Sequence, residues 1–174
     1  MRILAVSGSL RAGSSNTALL EAAARLAPQD IEFVLDEGLG SLPHFNPDLD
    51  DSGVSQAVQV WRQELRSSDA VVFSTPEYAH GVPGVLKNAL DWVEGSGELV
   101  NKPVALFNAS PRGVYAQASL TETLTVMSAR VLKEASLTLQ LLGKPLSAIE
   151  IAADPAMSAA IVFAMGELRR SLVL

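Results

Sequence analysis

A polar loop near the amino terminus holds the densest set of side chains able to do chemistry. It reads SGSLRAGSSNT over residues 7–17, between a short apolar run and a segment with helical periodicity. The free amides at the start of such a helix favour an anion. Arg11 adds a cation that can contact two phosphate oxygens. Further donors come from hydroxyl and amide side chains: Ser9, Ser14, Ser15, Asn16 and Thr17. The loop predicts a phosphate site, with simple capping of the helix as the alternative.

The spacing of residues within this loop indicates which kind of phosphate-containing ligand it could bind. Gly8 and Gly13 imitate the first half of a P-loop, but Ser-Ser follows them where a P-loop has Lys and then Ser or Thr. The third apolar run ends in residues 74–76, Ser-Thr-Pro, with no acidic group to help hold Mg²⁺. A GxGxxG motif is also absent from the loop. The pattern indicates one terminal phosphate, bound without a metal.

A second loop, 76–84, could lie against a flat ligand. Its two prolines and two glycines make a stiff segment whose backbone can approach a ring closely. Tyr78 could cover the face or edge of such a ring. His80 is interpreted first as a surface histidine, and the alternative is a proton donor beside a redox ring.

A third loop, 108–113, reads NASPRG and again combines a hydroxyl with a cation. Ser110 could donate a hydrogen bond to a ring carbonyl. Arg112 could neutralise charge on the ring or meet a second, phosphorylated substrate. A solvated loop arginine is an equally good interpretation of Arg112.

Composition excludes several kinds of chemistry. Thirteen Lys and Arg against nineteen Asp and Glu give a net charge of −6, so a nucleic-acid partner is not expected. The chain has no cysteine, which excludes disulfides, thiolate nucleophiles and cysteine-ligated metals. With only His44 and His80, no metal site is predicted. No apolar run approaches the roughly 18 residues of a membrane helix, so a cytoplasmic protein without a membrane partner is expected.

Short apolar runs alternate with helix-period segments along all 174 residues. Strands are predicted at 2–6, 31–35, 70–74, 103–107 and 135–139. Helices are predicted at 14–27, 54–67, 84–93 and 116–127, with a last one opening at Asp154-Pro155. Residues 41–53 are predicted to be irregular and exposed. Trp92 lies off the centre of its apolar stripe, which predicts partial exposure or a subunit contact.

This alternation is typical of βαβ units, which form a parallel sheet covered by helices on both faces. The sequence therefore predicts a single α/β domain over 1–174. Its expected form is a doubly wound, flavodoxin-like sheet of five parallel strands in three layers, α/β/α. Ligands bind such sheets at the carboxyl ends of the strands, so the three polar loops are expected to meet there.

Two segments together resemble a known family. The first is GSLRAGSSN after the first strand, and the second is PEY followed by PGVLKNALDW after the third. They are similar to the signatures of the NADPH-dependent FMN reductases, which include quinone, azo-dye and chromate reductases. The resemblance implies that Ser9, Arg11, Ser14 and Asn16 hold the FMN phosphate, with further contacts from Ser15 and Thr17. It implies that Pro76, Glu77 and Tyr78 line the isoalloxazine ring.

The resemblance has departures beside the ring. Family members commonly continue Pro-Glu-Tyr with Asn-x-Ser, whereas this chain has Ala79, His80 and Gly81. Backbone groups of Ala79 and Gly81 are therefore expected to contact the flavin in place of the missing side chains. After the fourth strand, residues 110–113 (Ser-Pro-Arg-Gly) stand where members often have a glycine pair.

The implied activity is that of an FMN-dependent NAD(P)H oxidoreductase. The expected order is ping-pong: the nicotinamide passes hydride and leaves before a quinone-type or other small acceptor binds. No catalytic side chain is required, because the cofactor carries the chemistry. Two alternatives stay open: a flavin-binding electron carrier or redox sensor, and a phosphate-ester enzyme without flavin. Relatives usually pair through the helix containing LKNALDW, so a homodimer or dimer of dimers is expected.

Overall fold

A parallel sheet forms the centre of the computed structural model, which describes residues 1–141, 143 and 146–172. The strands are β1 (Arg2–Ser7), β2 (Glu32–Leu35), β3 (Ala70–Ser74), β4 (Pro103–Asn108), β5 (Arg130–Val131) and β6 (Leu137–Thr138). Their order is β2-β1-β3-β4-β5, with β6 also paired to β4. This is the strand order of flavodoxin-like sheets, so the predicted doubly wound fold is confirmed. The predicted domain range 1–174 includes positions 142, 144, 145, 173 and 174, which lie outside the described residues.

Helices cover both faces of this sheet. They are α1 (Ser15–Leu26), α2 (Pro47–Ser52), α3 (Gln56–Ser67), α4 (Gly84–Glu94), α5 (Val114–Val126), α6 (Ala148–Ala153) and α7 (Pro155–Arg170). Successive residues of a strand point to opposite faces. Accordingly, Ile3 and Ala5 pack with α1, α6 and α7, whereas Leu4 and Val6 pack with α3, α4 and α5. The three-layer architecture is confirmed.

The fifth position of the sheet differs from the prediction of one strand at 135–139. Two short strands share it: β5 pairs with the start of β4, and β6 pairs with its end. Between them the chain leaves the sheet. There the Ser136 hydroxyl oxygen accepts from the Leu106 amide at 3.0 Å and donates to the Leu132 carbonyl at 2.8 Å. This side chain replaces the missing strand contact, so the Leu106 amide keeps a hydrogen-bond partner.

Two short helices lie where the sequence pattern predicts none. Helix α2 falls within 41–53, where Asn46 caps its first turn and Pro47 opens it. Helix α6 begins with a capping box, in which Ser147 and Glu150 each accept a hydrogen bond from the other's backbone amide. Hydrogen bonds from the backbone and hydroxyl of Ser147 lower the pKa of the Glu150 carboxyl. The predicted start of the last helix at Asp154 is confirmed.

The prediction that Trp92 is partly exposed is wrong. Its side chain is 1% exposed, and its indole N–H donates to the Pro43 carbonyl at 2.7 Å. The Asn88 amide donates to the same carbonyl at 2.9 Å, and the ring of Phe45 packs edge-on against the indole at 5.1 Å. A segment distant in sequence therefore covers this face of α4, and Trp92 gives no support for a subunit contact.

Candidate functional site

Three loops leave the same edge of the sheet and enclose one cavity. Strands β1 and β3 end side by side, with Ser7 paired to Ser74, and the Gly8 amide donates to the Ser74 carbonyl at 2.8 Å. The loops after β1, β3 and β4 line a cavity of about 370 Å³, within the usual size for small-molecule sites. Its lining comprises Ser9, Arg11, Ser14, Ser15, Asn16, Thr75, Pro76, Glu77, Tyr78, Asn108, Ala109, Ser110, Arg112 and Gly113.

The amino terminus of α1 forms one end of this cavity. Ser14 is the cap residue, and its hydroxyl accepts from the Thr17 amide at 3.4 Å. The first turn of α1 contains no acidic residue, so its positive end is not neutralised within the turn. Asn16 is buried, and its carbonyl oxygen accepts from the Ser74 hydroxyl at 3.0 Å. Its amide nitrogen makes no hydrogen bond to the described residues and so remains available as a donor.

Two arginines add positive charge to the lining. The guanidinium groups of Arg11 and Arg112 make no ion pair or hydrogen bond within the described part of the chain, and both side chains are exposed. Their backbone amides donate to hydroxyls two residues earlier, Ser9 at 3.3 Å and Ser110 at 3.2 Å. Each serine shapes its loop while its own proton stays available. The cavity is thus locally positive on a chain of net charge −6.

Glu77 joins two walls of the cavity. One of its carboxylate oxygens accepts from the backbone amides of Tyr115 at 2.8 Å and Ala116 at 2.9 Å. Helix α5 has no side-chain cap of its own, because Gly113 occupies the cap position. Glu77 therefore caps α5 from the loop after β3. The sequence predicts only a contact between Glu77 and the ring, since no nearby residue indicates this distant partner.

Replacing Glu77 by alanine is expected to lower the free energy of unfolding by about 1 kcal/mol, the usual cost of losing a helix cap. Two amides lose their acceptor, and the positive end of α5 loses a carboxylate. Urea unfolding followed by circular dichroism measures the loss. Glu122→Ala is the matched control, because Glu122 is exposed in the middle of the same helix. Equal losses in the two variants would contradict the capping role.

Four residues named by the sequence analysis lie outside the cavity lining. The Thr17 hydroxyl lies 2.8 Å from the Ser7 hydroxyl and lines a neighbouring cavity. Ala79 and His80 are exposed in the loop after β3 and Gly81 is half-buried, and none of the three lines the cavity. Contacts of Ala79 and Gly81 with a flavin stay a prediction, as do the flavin contacts of the residues that do line the cavity.

Sequence reasoning missed four of the lining residues, namely Thr75, Asn108, Ala109 and Gly113. Thr75, Asn108 and Ala109 lie at the ends of β3 and β4, and position at a strand end is the signal that could have found them. Gly113 adjoins the predicted Arg112. Asn108 is buried, and its side-chain oxygen accepts from the Ser110 amide at 3.1 Å. It holds the third loop in shape.

No cluster of His, Cys, Asp or Glu suited to a metal ion occurs among residues 1–141, 143 and 146–172. Within those same residues, no helix combines the length and apolar character needed to cross a bilayer.

Comparison with known proteins places this chain in a family. Residues 1–141 match the family model described as NADPH-dependent FMN reductase. The chain therefore belongs to the NADPH-dependent FMN reductase family. An NAD(P)H-dependent FMN reductase of Pseudomonas aeruginosa is 39% identical over 112 residues, which are 63% of this chain and 60% of that protein. A 2-hydroxy-1,4-benzoquinone reductase of Burkholderia sp is 38% identical over 113 residues, 63% of this chain and 61% of that protein.

The match thus spans less than two thirds of the length of these two relatives. A solved structure extends the likeness over the whole fold. The flavoenzyme NAD(P)H:(acceptor) oxidoreductase of Paracoccus denitrificans superposes with a TM-score of 0.72 at 28% identity. The superposition covers 99% of this chain and 95% of that one.

Proposed function

We propose that this protein is an FMN-dependent NAD(P)H oxidoreductase that delivers electrons to a quinone-type or other small acceptor. Family membership and the names of the similar proteins support the reaction class. The observation that carries the proposal is the cavity itself. It combines the amino terminus of α1 and an arginine that makes no ion pair among the described residues with loops that follow two neighbouring strands.

The donor set of the cavity fits the phosphate of FMN. The hydroxyls of Ser9, Ser14 and Ser15, the amide of Asn16 and the guanidinium of Arg11 would hold it. This set of donors suits a single phosphate group. The guanidinium can form charge-assisted hydrogen bonds to the phosphate oxygens, and the helix terminus and the neutral donors can bind the oxygens that remain.

The opposite part of the lining fits a flat ring. Pro76 and Tyr78 offer apolar and aromatic surface, and the Ser110 hydroxyl offers a donor for a ring carbonyl. Arg112 would place a positive charge beside the ring. When bound, FMN supplies hydride acceptance and electron delivery. The residues of this chain bind and orient it.

The visible absorption spectrum of the purified protein, before and after adding FMN, is the direct test. A flavin spectrum is expected, bleached under anaerobic conditions by NADPH or NADH. Steady oxidation of the nicotinamide with a quinone is then expected, and it would exclude the electron-carrier alternative. A colourless protein that FMN cannot reconstitute would contradict the proposal and favour the phosphate-ester alternative.

We further propose a single cytoplasmic domain that assembles as a homodimer or dimer of dimers. Support for assembly comes from apolar side chains exposed on two helices, Val114 and Val126 on α5 and Val162 and Phe163 on α7. Light scattering coupled to size-exclusion chromatography measures the oligomeric state. A strictly monomeric protein across the micromolar range would contradict assembly.

A further inference from the structure

The loop after β3 contains a tight turn with an unusual backbone. The Tyr78 amide donates to the Gly81 carbonyl at 2.9 Å, and the Gly81 amide donates to the Tyr78 carbonyl at 3.0 Å. The two central residues have positive φ, 50° at Ala79 and 62° at His80. Such turns favour Asn-Gly, because glycine has no Cβ and the short polar side chain of asparagine can form local hydrogen bonds at positive φ. Ala-His is less favourable for the turn alone, above all at Ala79, whose side chain can form no such bond.

This turn places the His80 imidazole on the ring of Tyr115. The two rings are stacked, with centroids 4.0 Å apart and planes inclined by 22°. Tyr115 lies in the first turn of α5, where its amide is fixed by Glu77. The stack thus bridges two segments whose neighbouring residues line the cavity.

The stack is an exposed aromatic surface that adjoins the cavity lining along the chain: His80 follows Tyr78 by two residues and Tyr115 follows Gly113 by two, and both Tyr78 and Gly113 line the cavity. The side chain of Tyr78 is 57% exposed and that of Tyr115 is 54% exposed, and His80 is exposed as well. Tyr78 itself lines the cavity. Strained backbone that survives at a site points to a use for the side chain it presents. Here the side chain presented is an aromatic ring.

We infer that the His80–Tyr115 stack is a docking platform that selects planar aromatic acceptors. The inference rests on the proposed function. An acceptor such as a quinone approaches the cavity across this surface and is held by ring stacking. In the overall reaction the quinone gains a hydride from the nicotinamide and a proton from solvent, leaving oxidised nicotinamide and hydroquinone. A compact, non-planar acceptor such as ferricyanide gains nothing from the platform.

Two variants of His80 test the platform without straining the turn. His80→Gly and His80→Asn both remove the ring, and both new residues accept positive φ readily. With 2-methyl-1,4-naphthoquinone, KM is expected to rise roughly 3- to 10-fold in each, in line with the usual strength of aromatic pairs. The kcat value and the KM for ferricyanide are expected to stay within about twofold. Tyr115→Phe keeps the stack and is the matched control, expected to resemble the parent protein.

A direct binding measurement complements the kinetics. The chain has only two histidines, His44 and His80, so their ring-proton NMR signals are readily assigned with the His80→Gly variant. Adding the same naphthoquinone to the FMN-loaded protein, without nicotinamide, is expected to shift the His80 signals. Those of His44, exposed in the segment before α2, are expected to stay in place.

The outcomes separate this inference from the proposed function. A parent protein that oxidises NAD(P)H with neither acceptor overturns both. An active parent with unchanged KM in both ring-removing variants overturns the platform alone, as do unshifted His80 signals. Equal rises in KM for both acceptors, or dissociation of an assembly in His80→Gly, also overturn it, because charge or subunit contact would then explain the stack.

Discussion

Replacing Gly8 by alanine is expected to lower the free energy of unfolding by about 1–3 kcal/mol, the usual cost of overpacking a dense interior. A Cβ at this position would lie 2.4 Å from the Thr75 hydroxyl oxygen and 2.9 Å from the Thr75 Cβ. Thr75 is buried, so relief requires β1 and β3 to move apart at the edge that forms the site. FMN affinity is expected to fall with stability, because the loop proposed to hold the FMN phosphate begins at Gly8.

Gly13→Ala is the matched control for this substitution. It makes the same chemical change in the same loop, but a Cβ there would meet nothing within 4 Å. Urea unfolding and fluorescence titration with FMN compare the two variants. Gly8→Ala combined with Thr75→Gly removes both clashing atoms and is expected to recover part of the loss. Equal behaviour of Gly8→Ala and Gly13→Ala would contradict the close approach of the two strand ends.

Elements with strong local patterns could be predicted from the sequence. The third strand is found at the predicted residues, Ala70–Ser74. It could be predicted because a short apolar run between two helical segments is typical of a buried strand in a parallel sheet. The site could be placed for a related reason. In a doubly wound sheet the loops after neighbouring strands converge, so polar residues after β1, β3 and β4 had to meet. The cavity contains Arg11, Glu77 and Arg112, one from each loop.

Features that depend on distant partners could not be predicted. The apolar pattern of α4 places Trp92 at the edge of the buried face of the helix. Its side chain is buried by Pro43 and Phe45, which lie more than 45 residues earlier in the sequence. The split of the last strand depends on the Ser136 hydroxyl reaching Leu106. Periodicity reports which face of an element is apolar, but it does not report which loop folds over that face.

The same limit applies within the site. Sequence analysis gives Glu77 a place beside a ring and His80 two alternative roles. The structure adds that both face the first turn of α5, through a cap in one case and a ring stack in the other. The residues near Glu77 and His80 in sequence give no sign of these contacts. The start of α5 likewise contains no motif to show that its cap comes from another loop.

Arg11→Ala is expected to weaken FMN binding by about 1–3 kcal/mol, the usual cost of leaving a bound polar group without its hydrogen-bond partner. This corresponds to a Kd roughly 5- to 150-fold higher. The guanidinium makes no hydrogen bond or ion pair to the described residues, so its removal takes a partner from the ligand and no polar interaction from the fold. The free energy of unfolding of the FMN-free protein is therefore expected to change by less than about 0.5 kcal/mol. Fluorescence titration with FMN measures the affinity.

Two comparisons make the Arg11 prediction specific to the phosphate. Arg25→Ala removes the same charge from the opposite end of α1 and is expected to leave FMN affinity within about twofold, because exposed charges that far apart are largely screened. Riboflavin lacks the phosphate, so its weaker binding is expected to be the same in Arg11→Ala and the parent protein. Unchanged FMN affinity in Arg11→Ala, or an equal loss for riboflavin, would mean that Arg11 does not hold the phosphate.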